Sequence, residues 1–532
     1  MLKEKYTYIP ASQKTDAIPI WFCFPAEYSI GMSSLGYLSL FRLFDEHQDI
    51  DPERIFTDTA KTRHHINDVK LVGFSNSFEF DFLNIFKILE KHKIPFSSSE
   101  RGENHPLIFG GGPVLSANPE PFADIFDFII LGDGEEVLLE IIEKYKNVKN
   151  LKRNEIIAEL ALIEGVYVPS FYEVDYNNDG SIKDRKAKVS AIESIKKRCV
   201  QLSSCVYSPI VTADTMFSDS FLIEFTRGCP RICNFCLASY SNLPSRCPSK
   251  ESILEAIDTG IKLTGKIGLL GALITEHPDF EEICSYISNL RDKQEFEVSV
   301  SSLRTDSITP EIVQMLTKCG QKNLTIAIEA GSQRLRDFIN KNLSEEQIIA
   351  TVQTAIDNGL LGLKIYGMIG LPTETDEDIL ELVVLLKKIK KLNNKFSITL
   401  SISSFVPKAN TPFQWYGRDS IKNLERKTTI LKKELHKAGI KFRPTSIKWD
   451  NIQGILSRGN RTLSPILRKV YQYGGTIGSW GRAFKEVSNT EGFKIPQYSY
   501  FYERTIPFEE NLPWDFIETG VSKQILYKRG NF

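Results

Sequence analysis

Three cysteines fall within eight residues, Cys229-Pro230-Arg231-Ile232-Cys233-Asn234-Phe235-Cys236, directly behind the β-favouring run Phe221-Leu222-Ile223-Glu224-Phe225. Three thiols on one loop after a strand call for a scaffold whose strand ends converge on a common site. A 4Fe-4S cube held by three cysteines leaves one iron open to a ligand that is not protein. Two other uses remain open. A zinc knob needs a fourth ligand, which Cys199, Cys205 or Cys247 could supply, and an electron-carrying or structural cluster needs a fourth cysteine in a tighter run. No second C-x2-C or Cys/His pair stands at the spacing that zinc sites use.

The rest of the 532 residues supplies such a scaffold twice. From Ile18 to Tyr145 short apolar runs alternate with longer helix-like stretches, the rhythm of a parallel sheet covered by helices. Strands are expected at Ile18 to Phe24, Val69 to Phe74, Pro106 to Phe109 and Phe126 to Leu131. The last two run into Gly110-Gly111-Gly112-Pro113 and Gly132-Asp133-Gly134, at the carboxyl edge where open α/β sheets bind ligands. A connector carries the turn signal Asn177-Asn178-Asp179-Gly180 and reads as a hairpin. The strand-then-helix pattern resumes at Phe221 and continues through Ile267 to Leu270, Phe296 to Val300, Leu324 to Ile328, Leu363 to Ile369 and Ile398 to Phe405. The expected class is therefore α/β. A Rossmann-like domain (1–164) leads through a linker with a hairpin (165–220) to a partial β/α, TIM-like barrel (221–415), with a mostly helical extension (416–532).

The C-x3-C-x2-C spacing, with the aromatic Phe235 before the last cysteine, resembles the radical S-adenosylmethionine (SAM) superfamily. That resemblance implies a 4Fe-4S cluster on Cys229, Cys233 and Cys236, whose open iron chelates SAM, and reductive cleavage of SAM to a 5'-deoxyadenosyl radical. Three later segments resemble the superfamily's SAM contacts: Ser301-Ser302-Leu303-Arg304, Glu329-Ala330-Gly331-Ser332 and Gly367 to Glu374. By the same resemblance Phe235, Ser302, Arg304, Glu329, Ser332, Lys341 and the backbone at Ile369 belong to the SAM site. The usual Gly-Gly-Glu that receives the SAM amino group is replaced by Leu270-Gly271-Ala272, so Gly271 and Ala272 stand at that contact without its carboxylate. Glu276 is close in sequence but reads as an ordinary first-turn glutamate. No further catalytic residue is identified.

The first domain resembles the cobalamin-binding domain of many such enzymes. The resemblance points to Ser75, Ser77, Gly110, Gly111, Gly112, Gly132 and Gly134 as the cradle, since glycine lets backbone approach a bulky ligand. The Asp-x-His-x-x-Gly signature would fall at Ala26, Tyr28 and Gly31, so no imidazole can ligate cobalt from there. A methylthiotransferase-like domain would bring three cysteines before the linker, and only Cys23 is present. The expected function is SAM cleavage, with cobalamin-dependent methyl transfer or rearrangement on a small molecule, cofactor precursor or peptide. The alternatives are RNA modification and a non-catalytic iron-sulfur or zinc protein.

Charge and composition narrow the partners. Lys and Arg number 66 against 67 Asp and Glu, so no global field gathers nucleic acid; the basic stretch Leu424 to Arg443 is a local candidate for RNA or simply a solvated helix face. The strongest apolar run, Ile379 to Leu386, is too short to span a bilayer, and MLKEKYTYIP does not read as a secretory signal. Nine irregularly spaced cysteines suit a reducing, cytoplasmic setting. An electron donor such as flavodoxin or ferredoxin is implied by the family resemblance. The tail beyond Ile447 is expected to cap the barrel mouth.

Overall fold

The computed structural model describes residues 3–530 except 12–13, 15, 189–192 and 491–494. Its first sheet contains β1 (Ile18–Cys23), β2 (Ile50–Ile55), β3 (Leu71–Ser75), β4 (Leu107–Gly111) and β5 (Phe128–Ile130), all parallel, in the order β2-β1-β3-β4-β5. A short β6 (Val166–Tyr167) joins β5 antiparallel. Apolar side chains on both faces explain the continuous hydrophobic runs: Trp21, Val72, Ile108 and Ile129 enter one core, Ile20, Phe22, Phe109 and Phe128 the other. The strand order reverses between β1 and β3, which places the ligand crevice at their carboxyl ends.

Sequence periodicity missed β2, which reads Ile-Asp-Pro-Glu-Arg-Ile. It lies at the sheet edge, where the N–H that Pro52 lacks is not required by a second neighbour. Its charges are matched by tertiary partners: Asp51 takes Arg63 at 2.6 Å, and Arg54 takes Glu4 at 2.8 Å.

The second unit is a partial barrel of parallel strands. β7 (Ser220–Thr226), β8 (Lys266–Gly271) and β9 (Glu297–Val300) form one run; β10 (Asn323–Glu329), β11 (Gly362–Ile369), β12 (Ser397–Ser404) and β13 (Lys441–Pro444) form the other. A parallel bridge between Leu303 and Ile326 joins the two runs. Ile267, Ile326, Ile365 and Leu400 face the surrounding helices in one core. Six strands fall where the sequence suggested; β13 lies in the stretch expected to be helical. The hairpin forms between Tyr172–Tyr176 and Ile182–Ala187 around the predicted turn.

Three carboxyl-terminal helices pack against the first domain, a contact that the expected cap did not include. Ile447–Arg458, Ser464–Gln472 and Ile477–Ser488 complete a face of the first domain. Trp480, fully buried, stands edge-on to Phe82 at 6.0 Å, and Tyr471 meets Phe86 at 5.5 Å. Large apolar faces on these amphipathic helices make that burial the stabilising outcome. The basic helix Ile421–Lys437 packs on the barrel, and several of its cations are matched: Arg426 grips Asp376 at 2.6 and 2.7 Å, and Lys427 is buried between Glu374 and Asp419, each at 2.8 Å. Among the described residues no helix is long and apolar enough to cross a membrane.

Candidate functional site

β7 ends at Thr226, and Arg227 and Arg246 exchange backbone hydrogen bonds of 2.8 and 2.9 Å, so the cysteine loop begins from a fixed base. Gly228 then adopts φ +84°, where a Cβ would lie 2.4 Å from the Asn242 carbonyl; only glycine fits this turn. Cys236 N–H donates to the Cys233 carbonyl at 3.1 Å. The following short helix, Leu237–Ser241, closes the loop.

A second segment, residues 338–342, clasps the loop from across the barrel mouth. Asn234 donates from its backbone to Ile339 O (3.0 Å) and from Nδ2 to Phe338 O (2.9 Å); Asn340 Nδ2 donates back to Arg231 O and Ile232 O at 3.1 and 3.0 Å. Arg529, on the last helix, Lys523–Arg529, donates to Ile232 O at 3.3 Å and to Tyr240 Oη at 3.1 Å. Cys233 is buried, with Cys229 and Cys236 half-buried beside it. Burial pushes the Cys233 thiol up to about 11, opposed by the nearby cations Lys341 and Arg304. Three thiols on a rigid, partly open loop fit an iron-sulfur cluster with one uncommitted iron.

Next to this loop Lys341 Nζ lies 3.1 Å from Glu329 Oε1, both nearly buried. Burial disfavours the lysine charge, but Glu329 and the Cys233 thiol outweigh it and hold the pKa above its ordinary value. Glu329 closes β10 with φ +65°, a strained conformation for a residue with a Cβ, held by the β10–β11 register shift at that point. Arg304 Nη2 donates to the Lys341 and Asn342 carbonyls, and its Nε lies 2.7 Å from Asp306 Oδ1. Phe235 packs beside Leu335, Leu371, Phe405 and Phe413, an apolar floor at the strand ends.

The remaining predicted SAM residues are distributed around this centre. Ser302 is half-buried on the loop leaving β9, and Ala272 is exposed beyond β8. Ser332 Oγ donates to Asp378 Oδ1 at 2.5 Å and accepts from Leu335 N–H, so it serves as a helix cap. The buried Ile369 closes β11, and its carbonyl accepts from Phe405 N–H at 2.9 Å. Glu276, beyond Ala272 in the chain, is ion-paired with Arg231 of the cysteine loop.

Between the two units lies a cavity of about 390 Å³ lined by Ser75, Ser77, Gly111, Gly112, Gly132 and Gly134 on one side and by Thr226, Arg227 and Gly271 on the other. It brings Gly271, expected at SAM, onto the wall facing the glycine cradle. Gly110 instead faces the core, where a Cβ would meet Leu115 and Phe126. Thr226 Oγ1 is buried at this wall without a hydrogen-bond partner among the described residues, as is Ser239 Oγ in the helix after the cysteines. The cavity fits a ligand that needs close backbone approach, and no histidine lines it among the described residues.

Sequence reasoning missed Asp133, Arg246, Asn234 and Asn340, which position the loop. Asp133, Asn234 and Arg246 each adjoin a glycine or a cysteine and Asn340 adjoins neither, but the contacts by which all four position the loop are to residues distant in the chain.

Residues 223–409 match the family described as the Radical SAM superfamily, and residues 36–169 match the one described as radical SAM proteins, N-terminal. An uncharacterized protein of Methanocaldococcus jannaschii is 29% identical over 84% of this chain and 89% of its own length. The fold is similar to TsrM of Kitasatospora setae, a radical S-adenosylmethionine methyltransferase with cobalamin and a 4Fe-4S cluster bound. There the TM-score is 0.52 and the identity 13%, over 75% of this chain and 76% of that one. It is also similar to OxsB, a cobalamin-dependent S-adenosylmethionine radical enzyme with aqua-cobalamin and S-adenosylmethionine bound. That TM-score is 0.50 at 14% identity, over 89% of this chain and 72% of the other.

Proposed function

Since this chain belongs to the radical SAM superfamily, and is an enzyme of that class, we propose that Cys229, Cys233 and Cys236 hold its 4Fe-4S cluster and that Glu329, Lys341 and Arg304 receive SAM. The observation that carries this reading is the clasp of the cysteine loop by residues 338–342, which places Lys341 beside Cys233. When bound, such a cluster supplies the single electron for reductive cleavage of SAM and so for hydrogen abstraction from a substrate. The protein's part is positioning. Lys341, kept charged by Glu329, offers an ammonium to the SAM carboxylate; Arg304 fixes the Lys341 backbone; the floor around Phe235 and Phe413 keeps water from the reacting face. An external one-electron donor of the flavodoxin or ferredoxin kind completes the cycle.

The interdomain cavity is our proposed cobalamin site, with Ser75, Ser77, Gly111, Gly112, Gly132 and Gly134 against the corrinoid. The likeness in fold to TsrM and OxsB supports it. Ala26, Tyr28 and Gly31 occupy the positions of the cobalt-ligating signature, so no histidine from that site would hold a bound corrinoid. Methyl transfer or rearrangement on a small molecule or peptide is the reaction class this favours. Of the basic stretch, Arg426, Lys427 and Lys437 are engaged by carboxylates, which lessens the charge that it offers to an RNA substrate.

The test is anaerobic reconstitution with iron and sulfide, followed by conversion of SAM to 5'-deoxyadenosine with dithionite. The triple Cys229/Cys233/Cys236→Ala variant should bind no cluster and form no product. A wild type that carries the cluster yet forms no 5'-deoxyadenosine would refute the reading.

A further inference from the structure

The barrel lumen below Glu329 carries cations that no carboxylate of the described residues neutralises. In β10 to β12 the residues facing the helices are apolar, Ile326, Ile365 and Leu400 among them, and Phe442 of β13 packs on the same core. Alternation along a strand therefore turns the intervening residues into the lumen. Parallel register aligns them in layers: Thr325, Lys364, Thr399 and Lys441 in the lower, Tyr366, Ser401 and Arg443 in the upper.

This wall is open to solvent rather than packed. Tyr366 is 40% exposed although it sits on a central strand, and Lys441 and Arg443 are exposed as well. Lys364 Nζ donates to Tyr366 Oη at 2.9 Å and lies 4.6 Å from its ring centroid, an uncharged partner only. No ion pair forms on Lys364, Lys441 or Arg443 among the described residues. The next layer up holds one carboxylate, Glu329, and Lys341 already occupies it. At about 3.3 Å per residue the Arg443 layer lies roughly 7 Å, and the Lys364 layer roughly 13 Å, below Glu329.

We propose that this wall anchors the substrate, binding a carboxylate or phosphate group between Lys364, Arg443 and the hydroxyl of Ser401. Two cations of different geometry, a guanidinium fork and a mobile ammonium, with hydroxyl donors between them, suit an oxyanion. An anion held there leaves a span of small-molecule length up to the SAM site. The proposal rests on SAM occupying the Glu329–Lys341 end, and it selects an anionic substrate over a neutral one.

The test is equilibrium dialysis of the reconstituted protein, with and without SAM, against labelled inorganic phosphate and, separately, labelled succinate. Saturable binding of at least one is expected; phosphate alone identifies a phosphate ester, succinate alone a carboxylate. The Lys364→Gln/Arg443→Gln double variant should bind about tenfold more weakly or worse, while Lys364→Arg stays close to wild type. Arg443→Gln alone, at an exposed position, gives the same sign without threatening the fold. Absence of saturable binding by the wild type, or equal binding by the double variant, would overturn the anchor. The readout needs no turnover. A protein that binds the anion through these residues but never cleaves SAM would remove the preceding reading, and with it the anchoring role, and leave the anion site itself.

Discussion

Arg227, two residues before the first cysteine of the loop, reaches out of the barrel to Asp133 behind the last parallel strand of the first sheet, with Nη1 and Oδ1 3.3 Å apart. The same carboxylate takes Arg246 Nη1 at 2.6 Å and the Val200 N–H at 2.9 Å. One loop thus ties the cavity wall of the first domain to the base of the cysteine loop.

Replacing Asp133 with alanine takes the carboxylate from the largely buried Arg246, while Arg227 keeps Glu135 and Glu224 at 2.7 and 2.8 Å; removing one partner of a buried pair costs up to about 3–5 kcal/mol. The expected result is a lowered denaturation midpoint. Burial alone would raise the Asp133 pKa, but Arg227 and Arg246 overcome it and hold the carboxyl below its ordinary range. The sign follows: the stabilisation is complete above the unfolded carboxylate pKa of about 3.9 and is lost as pH falls through the lower folded value. The stability gap between wild type and Asp133→Asn should shrink in that acid window. A gap independent of pH would deny the ion pair its role.

Lys341→Met should keep iron and sulfide content near the wild-type level while weakening SAM binding by about tenfold, the loss of one charge-assisted contact. Parallel measurement of iron per chain and SAM retained in dialysis separates the two effects. Loss of iron with unchanged SAM affinity would reassign the Glu329–Lys341 pair to cluster support.

Two neighbouring glycines should respond differently. At Gly111 a Cβ finds its nearest atom 3.7 Å away, so alanine is tolerated, and Gly111→Leu fills the cavity and abolishes hydroxocobalamin binding seen by absorbance. At Gly112, φ is +112° and a Cβ would stand 2.4 Å from the Asn76 carbonyl, so even alanine destabilises the fold, by about 1–3 kcal/mol or more. Undiminished corrinoid binding by Gly111→Leu would show that the ligand lies elsewhere.

Trp480→Ala should cost about 3–5 kcal/mol, read from the urea midpoint, because the indole is buried against Phe82 in the first domain's core. Deleting the chain from Ile447 should likewise yield insoluble protein. A soluble, cooperatively folding truncation would restore the tail to a detachable cap.

The cysteine loop was legible because its chemistry is local: three thiols at fixed spacing behind an apolar strand. Strands buried on both faces, such as Ile18–Cys23 and Leu71–Ser75, were legible for a similar reason, since their apolar runs need no partner to be recognised. β2, with Asp51-Pro52-Glu53-Arg54, was not, because a sheet edge and distant counter-charges make it a strand. Nor was β13, where only the register of the neighbouring strand brings Lys441 and Arg443 into line with Thr399 and Ser401.

What the sequence determined by itself was the type of scaffold, the three-cysteine loop and the glycine-rich edges, each encoded within about ten residues by periodicity, spacing or backbone freedom. The tertiary structure decided which domain the tail completes, that Asp133 meets Arg227 and Arg246, that residues 338–342 clasp the cysteines, and that Lys364, Lys441 and Arg443 line the lumen without an ion pair among the described residues. These are contacts between residues far apart in the chain, set by packing and charge compensation after the strands have chosen their neighbours, and no local pattern carries them.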